Sequence, residues 1–460
     1  MINKNLLKTL GPGILFASTC IGVSHLVQST RAGANYGFSL VIMILLANLF
    51  KYPFFEYGSR YANATGTSLI DGYRRLGKWA INLYAFITLG TMFLVTSAVV
   101  VVTSGFMNNL FGISELFKSL NFPFPDLVTP ALLLTVCFGI LAAGKYKVLD
   151  SLVKVIGGVL LISTLIAFTL SVLKGGAPQV EGFVAPDWLD FNYKNGLHLG
   201  FIVALMGWMP TALDLSTWNS LWTVARIKQT GYKPTLKETL FDFNFGYIVS
   251  VILAICFVTL GANLMYGTGE TLPASSAAFS GKVVQMYTTT MGDWSKWIIG
   301  PAAFSIMFGT AIAVIDGYAR SSERILEILF VEKKKKKVDI ENRKREYIIS
   351  ILALSVVSFT IGYLFVYDES SKIAISNSLN NLLGNTDKGA TIGGFKFLVD
   401  VATTISFIVA PIVAIMNFSL VQEKYIGKEF VPPKWEIILS YAGIIFLSGF
   451  TILFLVFKFF

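Results

Sequence analysis

The sequence predicts an all-α integral membrane protein of about eleven transmembrane helices, with helices 1 and 6 discontinuous. Three observations carry this: the composition, the number of long apolar stretches, and the interruption of two of them in mid-span. Of 460 residues 54% are hydrophobic and only 14% charged, with 38 Phe, whereas a soluble globular chain carries roughly 25% charged residues. Crossing about 30 Å of hydrocarbon takes roughly 17 to 25 apolar residues. Eleven such spans lie near 11–30, 38–57, 79–107, 127–143, 150–173, 196–223, 241–266, 296–318, 347–366, 393–421 and 435–458.

Span 1 lies within GPGILFASTCIGVSHLVQSTRAGANYG (Gly11 to Gly37) and is broken in its middle by Gly22, Ser24 and His25. Span 6, GFIVALMGWMPTALDLSTW (Gly200 to Trp218), is broken by Gly207, Pro210 and Thr211, with Asp214 just beyond. A helix crossing hydrocarbon carries such a cluster where something polar meets it. Breaks in the first and sixth spans match two inverted five-span repeats, each opened by a discontinuous helix, with a solute held between the unwound turns. The expected organisation is a single domain, 1–460, with one repeat over about 8–175, a second over about 195–421, and an extra helix over about 434–459.

Lys and Arg collect in the cytoplasmic loops, and the loops between spans agree on one side. With Lys4 and Lys8 inside, the alternate loops hold Arg60, Arg74, Arg75 and Lys78, then Lys145 and Lys147, then Arg226, Lys228, Lys233 and Lys237. The run VEKKKKKVDIENRKRE (Val331 to Glu346) and the pair Lys424 and Lys428 fall on the same side, whereas the loop 174–195 holds Gly175, Gly176, Pro178, Glu181, Asp187 and Asp190. The N-terminus is therefore expected in the cytoplasm and, after an odd number of spans, the C-terminus outside. MINKNLLKTLGPG runs straight into span 1 without a small-residue cleavage site, so it reads as retained. Short loops and the lack of a targeting segment favour a multi-pass protein of a prokaryotic inner membrane.

The net charge of +10 needs no nucleic acid, since basic loops orient the chain and attract anionic lipid head groups. Membrane lipids and a transported small solute or ion are the expected partners; no oligomer is required and no cofactor is implied. Cys20, Cys137 and Cys256 sit in apolar runs without CxxC or Cys/His spacing, and read as buried small hydrophobes. With two histidines, His25 and His198, no nucleophile elbow and no P-loop, the chain is not expected to be an enzyme. Nothing resembles a selectivity filter, and no sizeable domain outside the membrane suggests a receptor. The breaks point instead to a transporter.

GPGILFAS, the TRAGANYG segment, GKYKVLDSLVKVI (Gly144 to Ile156), the Met209-Pro210 pair and SFIVAPIVAIMNFSLV (Ser406 to Val421) together resemble the Nramp family of divalent-metal transporters. The resemblance spans nearly the whole chain. It implies the leucine-transporter-like fold of inverted five-span repeats, alternating access, and typically proton-linked uptake of manganese or iron. The family's first-span Asp-Pro-Gly-Asn falls on Gly22, Val23, Ser24 and His25, and its sixth-span Met-Pro-His on Met209, Pro210 and Thr211. By the same comparison the acidic pair linked to proton movement falls on Thr96 and Val99 of span 3, so the usual metal and proton machinery is largely replaced.

The expected substrate site is Thr19, Gly22, Ser24, His25, Met206, Gly207, Trp208, Met209, Thr211 and Asp214. A divalent cation needs several donors and usually an anion; His25 and Met209 are the candidate soft ligands, carbonyls of Thr19 and Met206 can support them, and Asp214 is the nearby carboxylate. His25 also reads as a gating group or a hydrogen-bond donor to a freed carbonyl, Asp214 as a partner of the second half-helix, and Met209 as packing. Trp208 either lines the pocket or plugs it. Thr96, Asp316, Asp400 and Thr404 are the expected coupling or gating positions, although Asp316 and Arg320, four residues apart, also read as a structural ion pair. The leading expectation is a secondary transporter of a cation, most plausibly a divalent metal. The alternative is a non-metal polar or organic solute moved without proton coupling, for which an aromatic wall, a His and hydroxyls serve equally.

Overall fold

The computed structural model describes residues 9, 11–143, 146–186, 197–331, 340–383 and 394–459. Lys4, Lys8, Lys145, Asp187, Asp190 and the lysine run 333–337 lie outside the described residues.

Eleven helical stretches follow the eleven apolar spans. Span 1 is Pro12–Cys20 and Thr30–Tyr36 joined by a π turn, Ser24–Ser29; span 2 is Val41–Thr65, span 3 Lys78–Phe111, span 4 Pro125–Ala142 and span 5 Tyr146–Lys174. Span 6 is Leu197–Gly207 and Ser216–Thr230 with a 3-10 turn, Leu213–Leu215, between; spans 7 to 11 are Leu236–Met265, Lys296–Leu326, Ile340–Gly362, Phe395–Leu420 and Lys434–Phe459. Among the described residues no strand occurs. Seven of these helices pass as membrane spans on length and hydropathy alone. Of the rest, spans 1 and 6 are split into halves too short to cross, and span 2 carries Lys51, Glu56 and Arg60.

Short helices lie between spans. Leu69–Leu76, after span 2, opens with a capping box in which Ser68 and Asp71 satisfy each other's backbone N–H groups, and Thr235 with Glu238 does the same for span 7. The start of span 1 is held differently. Gly11 and Gly13 donate their N–H groups to the carboxylate of Asp242 in span 7, at 3.1 and 2.7 Å, placing an anion where the helix start is partially positive. The two backbones almost touch there: a Cβ on Gly13 would lie 1.9 Å from the Asp242 carbonyl oxygen, and one on Gly246 would lie 2.0 Å from that of Gly13.

Aromatic packing continues this contact toward the centre, where the Phe16 ring lies 5.2 Å from Phe55, 5.5 Å from Phe243 and 5.7 Å from Tyr247. Span 7 thus runs beside both halves of span 1. Span 11 is tied to span 2 by Arg60, which donates to both Glu56 oxygens at 2.9 and 2.7 Å and to Glu436 at 3.1 Å, all three side chains being buried. Outside, Trp79, Phe86, Leu89, Ile162, Leu173, Trp297, Ile438 and Ile445 are exposed, an apolar surface that suits lipid and not water. Cys20, Cys137 and Cys256 are free and buried.

Candidate functional site

Span 6 stops at Gly207, and residues 208–212 take no helical form before the chain resumes. Pro210 has no N–H to give, so the last carbonyls of the first half face no intrahelical donor. Their partner comes from span 2. Lys51, fully buried, donates from Nζ to the carbonyl oxygens of Met206 at 2.6 Å, Gly207 at 2.8 Å and Thr211 at 3.4 Å, with the Phe407 ring 6.0 Å away. A cation at the C-terminal end of a half-helix meets the negative end of its dipole. The same ammonium is within electrostatic reach of Cys20 at the end of the first half of span 1 and of Asp214 beyond the second break. Lys51 therefore sits at the span 6 break.

Asp214 is buried, within electrostatic range of that ammonium. Its Oδ2 accepts from the Thr91 hydroxyl of span 3 at 2.9 Å, its backbone oxygen accepts from Thr217 at 3.2 Å, and its Oδ1 has no hydrogen-bond partner. A carboxylate oxygen buried without a donor is costly.

His25 has a polar neighbour at each ring nitrogen: Nε2 donates to the Ser250 carbonyl of span 7 at 2.8 Å, and Nδ1 lies 2.9 Å from the Ser24 hydroxyl. Ser24 also meets the Cys20 carbonyl. A carbonyl opposite Nε2 fixes the tautomer with its proton there; the single Ser24 hydroxyl proton goes to the Cys20 carbonyl, so Ser24 lies beside Nδ1 without a second proton to give it. Thr19 turns its hydroxyl back to the Phe16 carbonyl at 2.7 Å. Met206 and Met209 are fully buried, and Trp208 donates from Nε1 to Ser406 of span 10 at 3.0 Å.

Both breaks need glycine for space. A Cβ on Gly207 would lie 2.0 Å from the Thr403 carbonyl oxygen of span 10, and one on Gly22 would lie 2.6 Å from Cγ2 of Thr310 in span 8. Thr310 donates in turn to the Ser18 carbonyl at 2.9 Å. Thus Gly22, Ser24, His25, Met206, Gly207, Trp208, Met209, Thr211 and Asp214 all sit at or beside the breaks.

The expected coupling positions divide. Thr96 is buried with an unpartnered hydroxyl, and Thr404 is buried in span 10. Asp316 lies toward the basic-loop end of span 8, where it accepts from Arg320 at 2.7 Å and Tyr347 at 2.5 Å. Asp400 lies at the opposite end of the bundle, gripped by Arg31 and Gln28 of span 1. Lys51 and Arg31 were not expected from the sequence. A signal for Lys51 was present, since a cation ten or more residues inside an apolar span is a functional candidate by default. Among the described residues no group of three His, Cys, Asp or Glu converges as a metal site.

The family model described as natural resistance-associated macrophage protein-like matches residues 13–382. The chain belongs to this Nramp family. An uncharacterized protein, PM0681 of Pasteurella multocida (strain Pm70), is 34% identical over 97% of this chain and 91% of its own length. Divalent metal cation transporter MntH of Levilactobacillus brevis is 23% identical over 67% of this chain and 63% of its own length; the chain thus aligns with somewhat less than two thirds of that Nramp relative. Among solved structures, the Eremococcus coleocola manganese transporter in complex with an aromatic bis-isothiourea substituted compound superposes with a TM-score of 0.60 at 14% identity, covering 98% of this chain and 87% of the other. MhsT in complex with L-phenylalanine superposes at 0.58 and 14%, covering 97% and 98%. These likenesses show the fold: a multi-pass helical membrane protein of Nramp and leucine-transporter-like architecture.

Proposed function

We propose that this Nramp-family chain is a secondary active transporter that works by alternating access and moves a cation through the seat at the breaks of spans 1 and 6. One observation carries the reading: three backbone carbonyls of span 6 converge on an ammonium, with the buried Asp214 carboxylate within its electrostatic range. Carbonyls aimed at one point select for positive charge without needing charged ligands. The MntH relatives are named divalent metal cation transporters, which makes manganese the first cargo to test, with Asp214, His25 and Met209 as the side chains at hand.

The membrane is taken to be a prokaryotic inner membrane, the N-terminus cytoplasmic and the C-terminus outside, as the basic loops indicate. Residues 8–175 and 195–421 are the two inverted repeats, supported by the matching places of spans 1 and 6 in them. No proton is expected to travel with the cargo, because Thr96 and Val99 hold no carboxylate.

A non-metal polar solute is the second reading, favoured by the engagement of His25 Nε2 with the Ser250 carbonyl and by the lack of a three-ligand cluster among the described residues. The deciding experiment is uptake into proteoliposomes of the purified protein. Saturable entry of manganese without acidification of the lumen supports the first reading. No saturable entry, together with thermal stabilisation by an organic solute, supports the second; cargo-dependent acidification removes the claim that protons do not travel.

A further inference from the structure

We propose that Lys51 is a tethered competitor for the transported cation: its ammonium fills the carbonyl seat at the span 6 break when cargo is absent, and moves to the unpartnered oxygen of Asp214 when cargo enters. The inference rests on reading the breaks as the cargo site, and it assigns the lysine a task that none of the similarities supplies.

Three observations support it. The seat is occupied now, by an ammonium bonded to the Met206, Gly207 and Thr211 carbonyls and fully removed from solvent. A free cation cannot share those oxygens with Lys51, since two positive charges a few ångströms apart in a low-dielectric site repel strongly. The receiving position also exists. Asp214 Oδ1 is buried and unpartnered, while Oδ2 is held by Thr91, so the carboxylate is fixed in place with one oxygen free to accept. The lysine stem supplies the means of travel, because its four-carbon chain is flexible and its ammonium is a compact point charge that needs no fixed planar geometry.

The consequence is a seat that is never left as bare carbonyls. Orphaned backbone oxygens at the centre of a membrane are costly, and an alternating-access protein must pass through an empty state in every cycle. Lys51 satisfies the carbonyls during that return. Asp214 then does double service, receiving the lysine and adding negative charge next to the arriving cation.

Substitution at both ends tests this. Lys51→Ala opens the seat, and Lys51→Met keeps the volume of the stem while removing the charge. With purified protein, methylammonium is expected to raise the unfolding midpoint of Lys51→Ala by several degrees and that of the wild type by less than one degree, with Lys51→Met close to the wild type because its methyl end obstructs the seat. Equal methylammonium responses in all three proteins would overturn the proposal. In the uptake assay Lys51→Ala is expected to lower KM for manganese at least threefold, through loss of the competitor, Lys51→Met to leave it unimproved because its methyl end still fills the seat, and Asp214→Asn to raise it at least tenfold. An unchanged KM in Lys51→Ala would also sink the inference, even with wild-type uptake intact. Absence of manganese uptake by the wild type, with methylammonium rescue of Lys51→Ala retained, would remove manganese as cargo and leave the tethered cation standing.

Discussion

The Arg31 guanidinium of span 1 grips both carboxylate oxygens of Asp400 in span 10, Nη1 to Oδ1 at 2.6 Å and Nη2 to Oδ2 at 2.8 Å. Gln28 joins them, donating to Asp400 at 3.0 Å and accepting from Arg31 at 2.8 Å, and the Phe201 ring lies 5.0 Å under the guanidinium. Forked, charge-assisted pairing is the strong form of this contact, and the side chains are mostly removed from solvent. The pair joins the second half of span 1 to span 10 on the side away from the basic loops. We predict that it holds that side of the breaks shut. Asp400→Asn should weaken the closure by about 1–2 kcal/mol, the scale of a hydrogen bond to a charged group. With Cys20, Cys137 and Cys256 replaced by Ala and Thr404→Cys as a reporter one turn deeper, an impermeant maleimide should label about tenfold faster when Asp400→Asn is added. An unchanged rate would show that the pair does not close this side.

On the basic-loop side, the end of span 8 is tied to Asp71 of the short helix that follows span 2. Arg324 at the end of span 8 donates from Nε to Asp71 at 2.8 Å and also from Nη2, while Ser68 donates its N–H and hydroxyl to the other carboxylate oxygen at 2.9 and 2.7 Å. Partial burial would raise the Asp71 value, but hydrogen bonds and charge from Arg324 outweigh it and hold the carboxyl below its usual range. A depressed folded value means that the charged form is favoured by folding. The stabilisation is complete above the unfolded value of about 3.9 and is lost as the pH falls through the folded one. We predict that Asp71→Asn lowers the unfolding midpoint by a few degrees at pH 7, roughly 1–2 kcal/mol, and flattens its fall below pH 4. A wild-type and variant difference that persists unchanged at pH 2 would contradict the assignment.

Which of these features the sequence disclosed follows from range. Asp316 and Arg320 are one helical turn apart, so their ion pair was readable from spacing alone. The breaks were equally readable, because Gly22, Ser24 and Pro210 act on the backbone beside them. Asp400 was visible as an intramembrane carboxylate, yet its partner Arg31 is 369 residues distant and no local pattern links them. Lys51 was hidden in another way. Its place in span 2 marks it as a candidate, but only the crossing of span 2 with the span 6 break shows that its ammonium meets three carbonyls.

Gly207 and Gly22 make a paired prediction, since what a methyl group would strike differs between them. At Gly207 it strikes backbone, the Thr403 carbonyl oxygen at 2.0 Å; at Gly22 it strikes a side-chain methyl, Thr310 Cγ2 at 2.6 Å. Overpacking of this kind costs about 1–3 kcal/mol, and more where the neighbour cannot move. Gly22→Ala should be largely restored by Thr310→Ser, which removes the struck methyl and keeps the hydroxyl that reaches Ser18. Gly207→Ala should not be restored by Thr403→Ser or Thr403→Ala, because the carbonyl remains. The check is the unfolding midpoint of the five single and three double variants; rescue of Gly207→Ala by either Thr403 change would refute the backbone clash.

His25 gives the sharpest separation of ligand from support. Its ring reaches from the first break to the Ser250 carbonyl of span 7, so removing it strands a buried acceptor at a cost of about 1–3 kcal/mol. His25→Ala should therefore lower the unfolding midpoint by several degrees in metal-free buffer. His25→Gln, whose side-chain amide can donate to Ser250, should recover a large part of that loss. Manganese affinity measured by calorimetry on the folded His25→Gln protein should stay within threefold of the wild type if the ring serves the break. A loss of a hundredfold or more, with stability recovered, would make His25 a ligand instead, because a carboxamide can replace the hydrogen bond to Ser250 but supplies no imidazole nitrogen to a transition metal.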